Sequence, residues 1–263
     1  MNVVVLVKQV PDTESLIEIN AEASDIKTDN LKWILNPYDE LAVEEGIRIR
    51  EKQGGGKLTV LSVGPERVTA AIRTALAMGA DEGVLVNDPA LEKPDPLTTA
   101  KVLAAALKAI PFDLIIAGQR AVDDDSYLVP AAVAEYLGIP MLSMVVRQEI
   151  TGRNIQCEQS LQDGTAVVEA DLPALLTTQR GLNQPRYASL PNIMKAKKKP
   201  LETKSLAALG LDASQFGAAS LKTRILSLAF PAQRKVCKMI SGETAEEKAA
   251  RLVQALHEEA GVL

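Results

Sequence analysis

Apolar and polar positions alternate along this chain in blocks whose period switches repeatedly between strand and helix. Val3–Val10 (VVVLVKQV) is a near-continuous apolar run, the pattern of a parallel strand covered on both faces. NPYDELAVEEGIRIREKQGGG, from Asn36, carries a helical period with Asn36 at the N-cap, Pro37 in the first turn and a stop at Gly54-Gly55-Gly56. Lys57–Gly64 (KLTVLSVG) reads as the next strand, after which Pro65 opens a helix closed at Gly79. EGVLVND predicts a third strand, DPLTTAKVLAAALKAI a helix from near Pro96, and Phe112–Gly118 (FDLIIAG) a fourth strand. Beyond a polar loop, Tyr127–Leu137 predicts a helix ended by Gly138, and MLSMVVRQEI a fifth strand. Strands alternating with helices of this length imply an α/β fold built on a doubly wound, mostly parallel sheet.

From about residue 150 the rhythm changes. RNIQCEQSLQDGTAVVEADLPALLTTQ predicts short strands around the Asp163-Gly164 turn, a hairpin extending the sheet. QPRYASLPNIMKAKKKP (184–200) then places Lys195, Lys197, Lys198 and Lys199 directly after the apolar pairs Leu190-Pro191 and Ile193-Met194. A nucleic-acid patch, a membrane tether and a protein-docking loop are all open for this stretch, in which prolines stand at 185, 191 and 200. Farther on, SLAALGLDASQFGAAS is loop and short helix, TRILSLAF is strand-like, and ETAEEKAARLVQALHEEAG is an amphipathic helix. These last elements are too thin for an independent core, so an arm packing on another subunit is expected. The expected division is 1–183 for the α/β nucleotide-binding domain, 184–200 for a partner-recognition loop and 201–263 for the arm.

Composition narrows the partners. The chain has 263 residues, 47% hydrophobic and 24% charged, with a formal net charge of -5. Aromatics make up only 3%, which argues against a base-stacking platform, and the acidic balance argues against nucleic acid altogether. No stretch approaches the ~20 apolar residues of a membrane span. The opening MNVVVLVKQVP reads as a buried strand rather than a signal peptide, so a cytoplasmic protein is expected, or a matrix protein of mitochondria if eukaryotic. Cys157 and Cys237 lack metal spacing and read as inert thiols, and the single histidine, His257, excludes any multi-histidine metal site.

In an open α/β sheet, ligands bind beyond the carboxyl ends of the strands where the strand order reverses. The loops to consider are Lys8–Ser15, Asn36–Glu40, Ser62–Arg67 and Gly118–Ser126. GQRAVDDDS is the most unusual: Gly118 permits close backbone approach, and the following helix start offers free N–H groups to an anion. Asp123, Asp124 and Asp125 oppose this, because carboxylates repel a phosphate; at least one is expected to cap the helix. Neither GxGxxG nor GxxxxGK[ST] occurs, and no Ser/His/acid or Cys/His set can be assembled. The residues therefore describe a nucleotide-binding carrier or binding subunit rather than an enzyme.

NPYDELAVEEGIRIRE, TVLSVGPERVTAAIRTALAMGAD, GQRAVDDDS and above all NQPRYASLPNIMKAKKKP resemble the β-subunit of electron-transfer flavoprotein, in order and over essentially the whole chain. The resemblance implies a heterodimer with an α-subunit that holds most of the FAD site, and a structural AMP in this subunit. It also implies electron delivery from acyl-CoA dehydrogenases or similar flavoenzymes, as in fatty acid oxidation, to a quinone oxidoreductase. On this sequence the implied cofactor contacts fall at Leu6, Asn36, Pro37, Tyr38, Asp39 and Val63, and on the loop of Gly118, Gln119, Arg120, Ala121, Val122, Asp123, Asp124, Asp125, Ser126 and Val129, with Tyr38 near the partner's flavin. The implied docking residues are Tyr187, Leu190 (the apolar anchor), Pro191, Ile193, Met194, Lys195, Lys197, Lys198 and Lys199. Thr13 stands where familiar members have a flavin-side tyrosine, and SYLVP (Ser126–Pro130) replaces their small polar run. A related branch bifurcates electrons, with a second FAD in place of AMP and NADH oxidation; NPYDELAVEE looks more like the AMP branch. A nucleotide-sensing α/β protein without flavin is the remaining alternative.

Overall fold

A computed structural model describes residues 1–217, 220–232 and 237–262. Its central sheet has nine strands: β1 (Val3–Leu6), β4 (Leu58–Val63), β5 (Glu82–Val86), β6 (Leu114–Gly118), β7 (Met141–Thr151), β8 (Asn154–Leu161), β9 (Gly164–Asp171), β10 (Ala174–Thr178) and β11 (Leu201–Lys204). Their order is β11-β5-β4-β1-β6-β10-β7-β8-β9. All neighbours from β11 to β7 run parallel, and β7, β8 and β9 are antiparallel. The α/β class and the mostly parallel, doubly wound sheet thus follow the expectation.

Helices cover both faces. On one, α1 (Pro37–Lys52) and α2 (Thr69–Met78) pack on Val3, Val5, Leu58, Val60, Leu114 and Ile116. On the other, α3 (Pro96–Leu107) and α4 (Leu128–Leu137) pack on Val4, Leu6, Leu61, Ile115 and Leu175. Successive residues of β1 serve opposite cores, which explains why the strand is apolar at every position rather than at alternate ones.

Four segments differ from the sequence expectation. The run Val3–Val10 is two strands, because after β1 the chain leaves the sheet and β2 (Gln9–Pro11) pairs antiparallel with β3 (Trp33–Leu35). The exit is fixed at Lys8, whose backbone N–H donates to Asp39 Oδ2 at 2.7 Å and whose carbonyl accepts from Asn36 N at 3.0 Å. Secondly, the strands after residue 150 do more than extend an edge, since β10 returns to the centre and lies between β6 and β7. Thirdly, the lysine-rich loop contains a helix, α5 (Leu190–Ala196), capped by the Ser189 side chain, with Pro191 in its first turn. Lastly, the strand-like run TRILSLAF forms no strand, and its apolar residues Ile225, Leu226 and Phe230 are exposed.

The chain forms two units, Met1–Leu226 and Ser227–Leu263. The first includes residues 184–200 and β11, which adds to the sheet edge beside β5. The second contains α6 (Ala245–Ala255), whose N-cap Thr244 accepts from Glu247 N, followed by a π-helical turn, Leu256–Ala260.

Candidate functional site

Chain order reverses between β1 and β6: the chain moves outward from β1 through β4 to β5, then crosses back to β6 on the opposite side. The crevice beyond the carboxyl ends of these two strands is where such sheets bind ligands. Lys8 follows β1, Gly118 ends β6, and the N-terminus of α1 sits against both.

Asp39 organises this junction. Its Oδ2 accepts from Lys8 N at 2.7 Å, and its Oδ1 accepts from Asn36 Nδ2 at 2.9 Å and from Gly118 N at 3.1 Å. Burial pushes the Asp39 carboxyl up to about 7, against the three donated hydrogen bonds, which favour its ionised form. Gly118 is required by the close approach: a Cβ there would lie 2.2 Å from Asp39 Oδ1 and 2.9 Å from the Tyr38 carbonyl carbon. Asn36 is the N-cap of α1, yet its side chain is diverted to the opposing loop. Asn36 Nδ2 donates to the Arg120 carbonyl at 2.9 Å, and Asn36 Oδ1 accepts from Val122 N at 3.2 Å.

Two cations offset the three aspartates. Lys8 Nζ reaches Asp123 at 2.8 Å and Asp124 at 3.0 Å, and Arg120 pairs with Asp125 at 2.7 Å. Burial pulls the Lys8 ammonium down, but the two carboxylates outweigh it and raise it overall. The expected repulsion of a phosphate by three adjacent carboxylates is thus largely cancelled by cations that sequence spacing could not place beside them. Their expected capping role is also corrected: α4 has Tyr127 as its N-cap, in a left-handed conformation and with no side-chain hydrogen bond. Asp124 instead accepts from Ser126 N.

Arg120 also donates to the Tyr38 hydroxyl at 3.0 Å, and its guanidinium lies 5.0 Å from the Tyr38 ring centre. Arg180, just beyond β10, lies 5.7 Å from the same ring. The buried Gln119 Oε1 has no hydrogen-bond partner among the described residues, an uncommon state for a buried acceptor. Leu6 and Val63 end the adjacent strands β1 and β4, with side chains turned into the α3/α4 core, so only their backbone edges face this end of the sheet. Pro37 sits in the first turn of α1, Ala121 is half-buried in the loop, Ser126 is exposed, and Val129 is in the first turn of α4. Hydrogen bonds and ion pairs thus join Asn36, Tyr38, Asp39, Gly118, Arg120, Val122 and the three aspartates at this junction, whereas the Leu6 and Val63 side chains pack elsewhere.

The segment 184–200 sits on the α1/α2 side of the sheet. Tyr187 is fully exposed and Leu190 is 79% exposed, with Pro191, Ile193 and Met194 beside it. Lys195, Lys197 and Lys198 point to solvent, whereas Lys199 is half-buried and donates to the carbonyls of Leu76 and Ala80. Sequence reasoning missed Arg186, which donates to Glu44 and Glu51 of α1, and Asn183, which donates to the Leu41 carbonyl and Glu45. The signal for Arg186 was the acidic spacing of Glu44 and Glu51 along one helix, but nothing local paired it with a residue more than 130 positions away. Cys157 is buried, and burial followed by the nearby Glu45 charge pushes its thiol up to about 12, so it is unreactive.

No group of three or more His, Cys, Asp or Glu side chains that could hold a metal occurs among the described residues. Nor is any described helix long and apolar enough to cross a membrane.

Comparison with known proteins agrees with this architecture. The family of the electron transfer flavoprotein domain matches residues 25–209. Electron transfer flavoprotein subunit beta of Bacillus subtilis is 42% identical over 264 residues, covering 100% of both chains. The protein of that name from Bradyrhizobium diazoefficiens is 37% identical with 100% of both chains covered. Its counterpart from Mycobacterium tuberculosis is 38% identical over 86% of this chain and 87% of its own. These similarities show that the chain belongs to the electron transfer flavoprotein β-subunit family.

Proposed function

We propose that this chain pairs with an α-subunit to form a heterodimeric electron carrier, binds AMP in the crevice between β1 and β6, and docks its electron donor through residues 184–200. The observation that carries the nucleotide reading is the combination of Gln119 Oε1, a buried acceptor without a partner, with the N-terminus of α4, whose N-cap provides no side-chain bond. An adenine amino group supplies a donor for the first, and a phosphate accepts from the second. Lys8 and Arg120 offset the aspartates beside that phosphate. FAD, held mostly by the α-subunit, supplies the redox chemistry; this chain contributes position and surroundings, with Tyr38 and its two arginines at the flavin side.

Acyl-CoA dehydrogenases or similar flavoenzymes are the proposed donors and a quinone oxidoreductase the acceptor, in the cytoplasm or mitochondrial matrix. Exposed Tyr187, Leu190 and Met194 beside free lysines support the docking role, because an apolar anchor ringed by charge is the usual form of a hot spot. Exposed Ile225, Leu226, Phe230, Met239 and Val253 support an arm that packs on the α-subunit.

Quantifying the nucleotides released from the denatured heterodimer tests the reading. One FAD and one AMP per dimer are expected. Two FAD and no AMP would replace it with the bifurcating, NADH-oxidising type, and a monomer lacking flavin would replace it with a nucleotide sensor.

A further inference from the structure

Helices α2 and α5 cap each other. Arg73, on α2, donates from one guanidinium nitrogen to the carbonyls of Ala196 and Lys199, both at 2.7 Å, at the carboxyl end of α5. Lys199, three residues past α5, returns the contact: its Nζ donates to Leu76 O at 2.9 Å and Ala80 O at 2.5 Å, at the carboxyl end of α2. Each helix end thereby receives a cation where its own carbonyls lack intrahelical partners and its dipole is negative. The small side chains Ala70 and Ala77 of α2 and Ala196 of α5 line the groove between the helices, allowing close approach. At the other end of the segment Arg186 is clamped to Glu44, whose side chain is only 3% exposed, and to Glu51.

We propose that Arg73 and Lys199 are positioning residues that hold α5 rigid, so that Leu190, Ile193 and Met194 reach a flavoprotein partner in one preset orientation. The inference rests on the docking role proposed above. A seven-residue helix is too short to persist on propensity alone, so its order must come from tertiary contacts. Rigid presentation reduces the entropy lost on binding. The same geometry gives the lysines different roles. Lys195, Lys197 and Lys198 face solvent and can steer an acidic partner, while Lys199 is held by two carbonyls and does not.

The test uses the complete heterodimer with a short-chain acyl-CoA dehydrogenase reduced by butyryl-CoA as donor. Arg73→Gln is expected to raise the KM for the carrier by about tenfold while leaving kcat and flavin content unchanged, because docking and not chemistry is affected. Arg73→Lys, which keeps a donor and a charge, is expected to recover part of the loss. Lys199→Gln should act like Arg73→Gln and leave the salt dependence of association unaltered, whereas Lys197→Gln should flatten that dependence. Faster amide exchange over residues 190–199 in Arg73→Gln, with exchange in β1 and β6 unchanged, is expected whichever donor is used. Unchanged exchange there, or a salt slope that falls in Lys199→Gln as much as in Lys197→Gln, overturns the inference. Leu190→Ala separates the two levels: if it leaves transfer unaffected the docking reading fails, while an effect of Leu190→Ala with none of Arg73→Gln removes only the positioning role.

Discussion

Gly118→Ala places one methyl group at the tightest junction of the crevice. The added Cβ would stand 2.2 Å from Asp39 Oδ1, 2.8 Å from Tyr38 Cβ and 2.9 Å from the Tyr38 carbonyl carbon. Two of these three atoms belong to or adjoin the backbone of the first turn of α1, so no side-chain rotation relieves the clash. Helix and strand must separate, and with them the 3.1 Å bond from Gly118 N to Asp39. Overpacking of this kind costs about 1–3 kcal/mol, and losing a hydrogen bond to a charged acceptor adds about 1.5–3 kcal/mol. Alanine's lower unfolded-state entropy offsets about 0.4–1 kcal/mol, so a net destabilisation of about 1.5–5.5 kcal/mol is expected. Gly46→Ala is the control, because its closest neighbour, at 2.8 Å, is Leu58 Cδ1, the tip of a side chain. Urea unfolding of both variants at neutral pH measures the difference, with bound nucleotide counted in parallel. A Gly118→Ala midpoint equal to that of the parent, or above that of Gly46→Ala, would refute the account of this junction.

Three further outcomes follow from the same network. The Asp39 carboxyl, pushed up to about 7 by burial, keeps a proton that the unfolded chain loses near its ordinary value, so stability is expected to fall from about pH 4 to about pH 7 and level off above. Asp39→Asn should remove that slope in urea unfolding measured at successive pH values; parallel profiles for parent and variant would contradict it. Lys8→Gln leaves Asp123 and Asp124 facing the proposed phosphate without their cation, and the co-purified AMP is expected to fall well below one per heterodimer by chromatography. Arg186→Gln leaves the buried Glu44 with Arg48 as its one cation, beside the backbone N–H of residue 186; a loss of about 1–3 kcal/mol in unfolding free energy is expected, below that of a fully buried pair because Arg186 is partly exposed.

Local chemistry alone determined the alternation of strands and helices, the helix starts at Pro37 and Pro96 and the stop at Gly138. Each depends on residues within one turn of each other, whose propensities act without reference to the rest of the chain. The stretch NQPRYASLPNIMKAKKKP likewise stood out by its apolar residues beside lysines and prolines, but its composition left a nucleic-acid patch, a membrane tether and a docking loop all open.

What sequence could not provide was which charges meet. Lys8 and Asp123 are 115 residues apart, and only the switch in strand order between β1 and β6 brings them within 2.8 Å. Asp39 entered only as an implied cofactor contact, yet burial and three converging donors make it the fastener of two strand ends. Lys199 was grouped with the implied docking lysines, but the packing of α5 on α2 turns it toward two carbonyls. Propensity and period act over a few residues. The neutralisation of charge and the satisfaction of buried polar groups depend on distances that exist only once the sheet has closed.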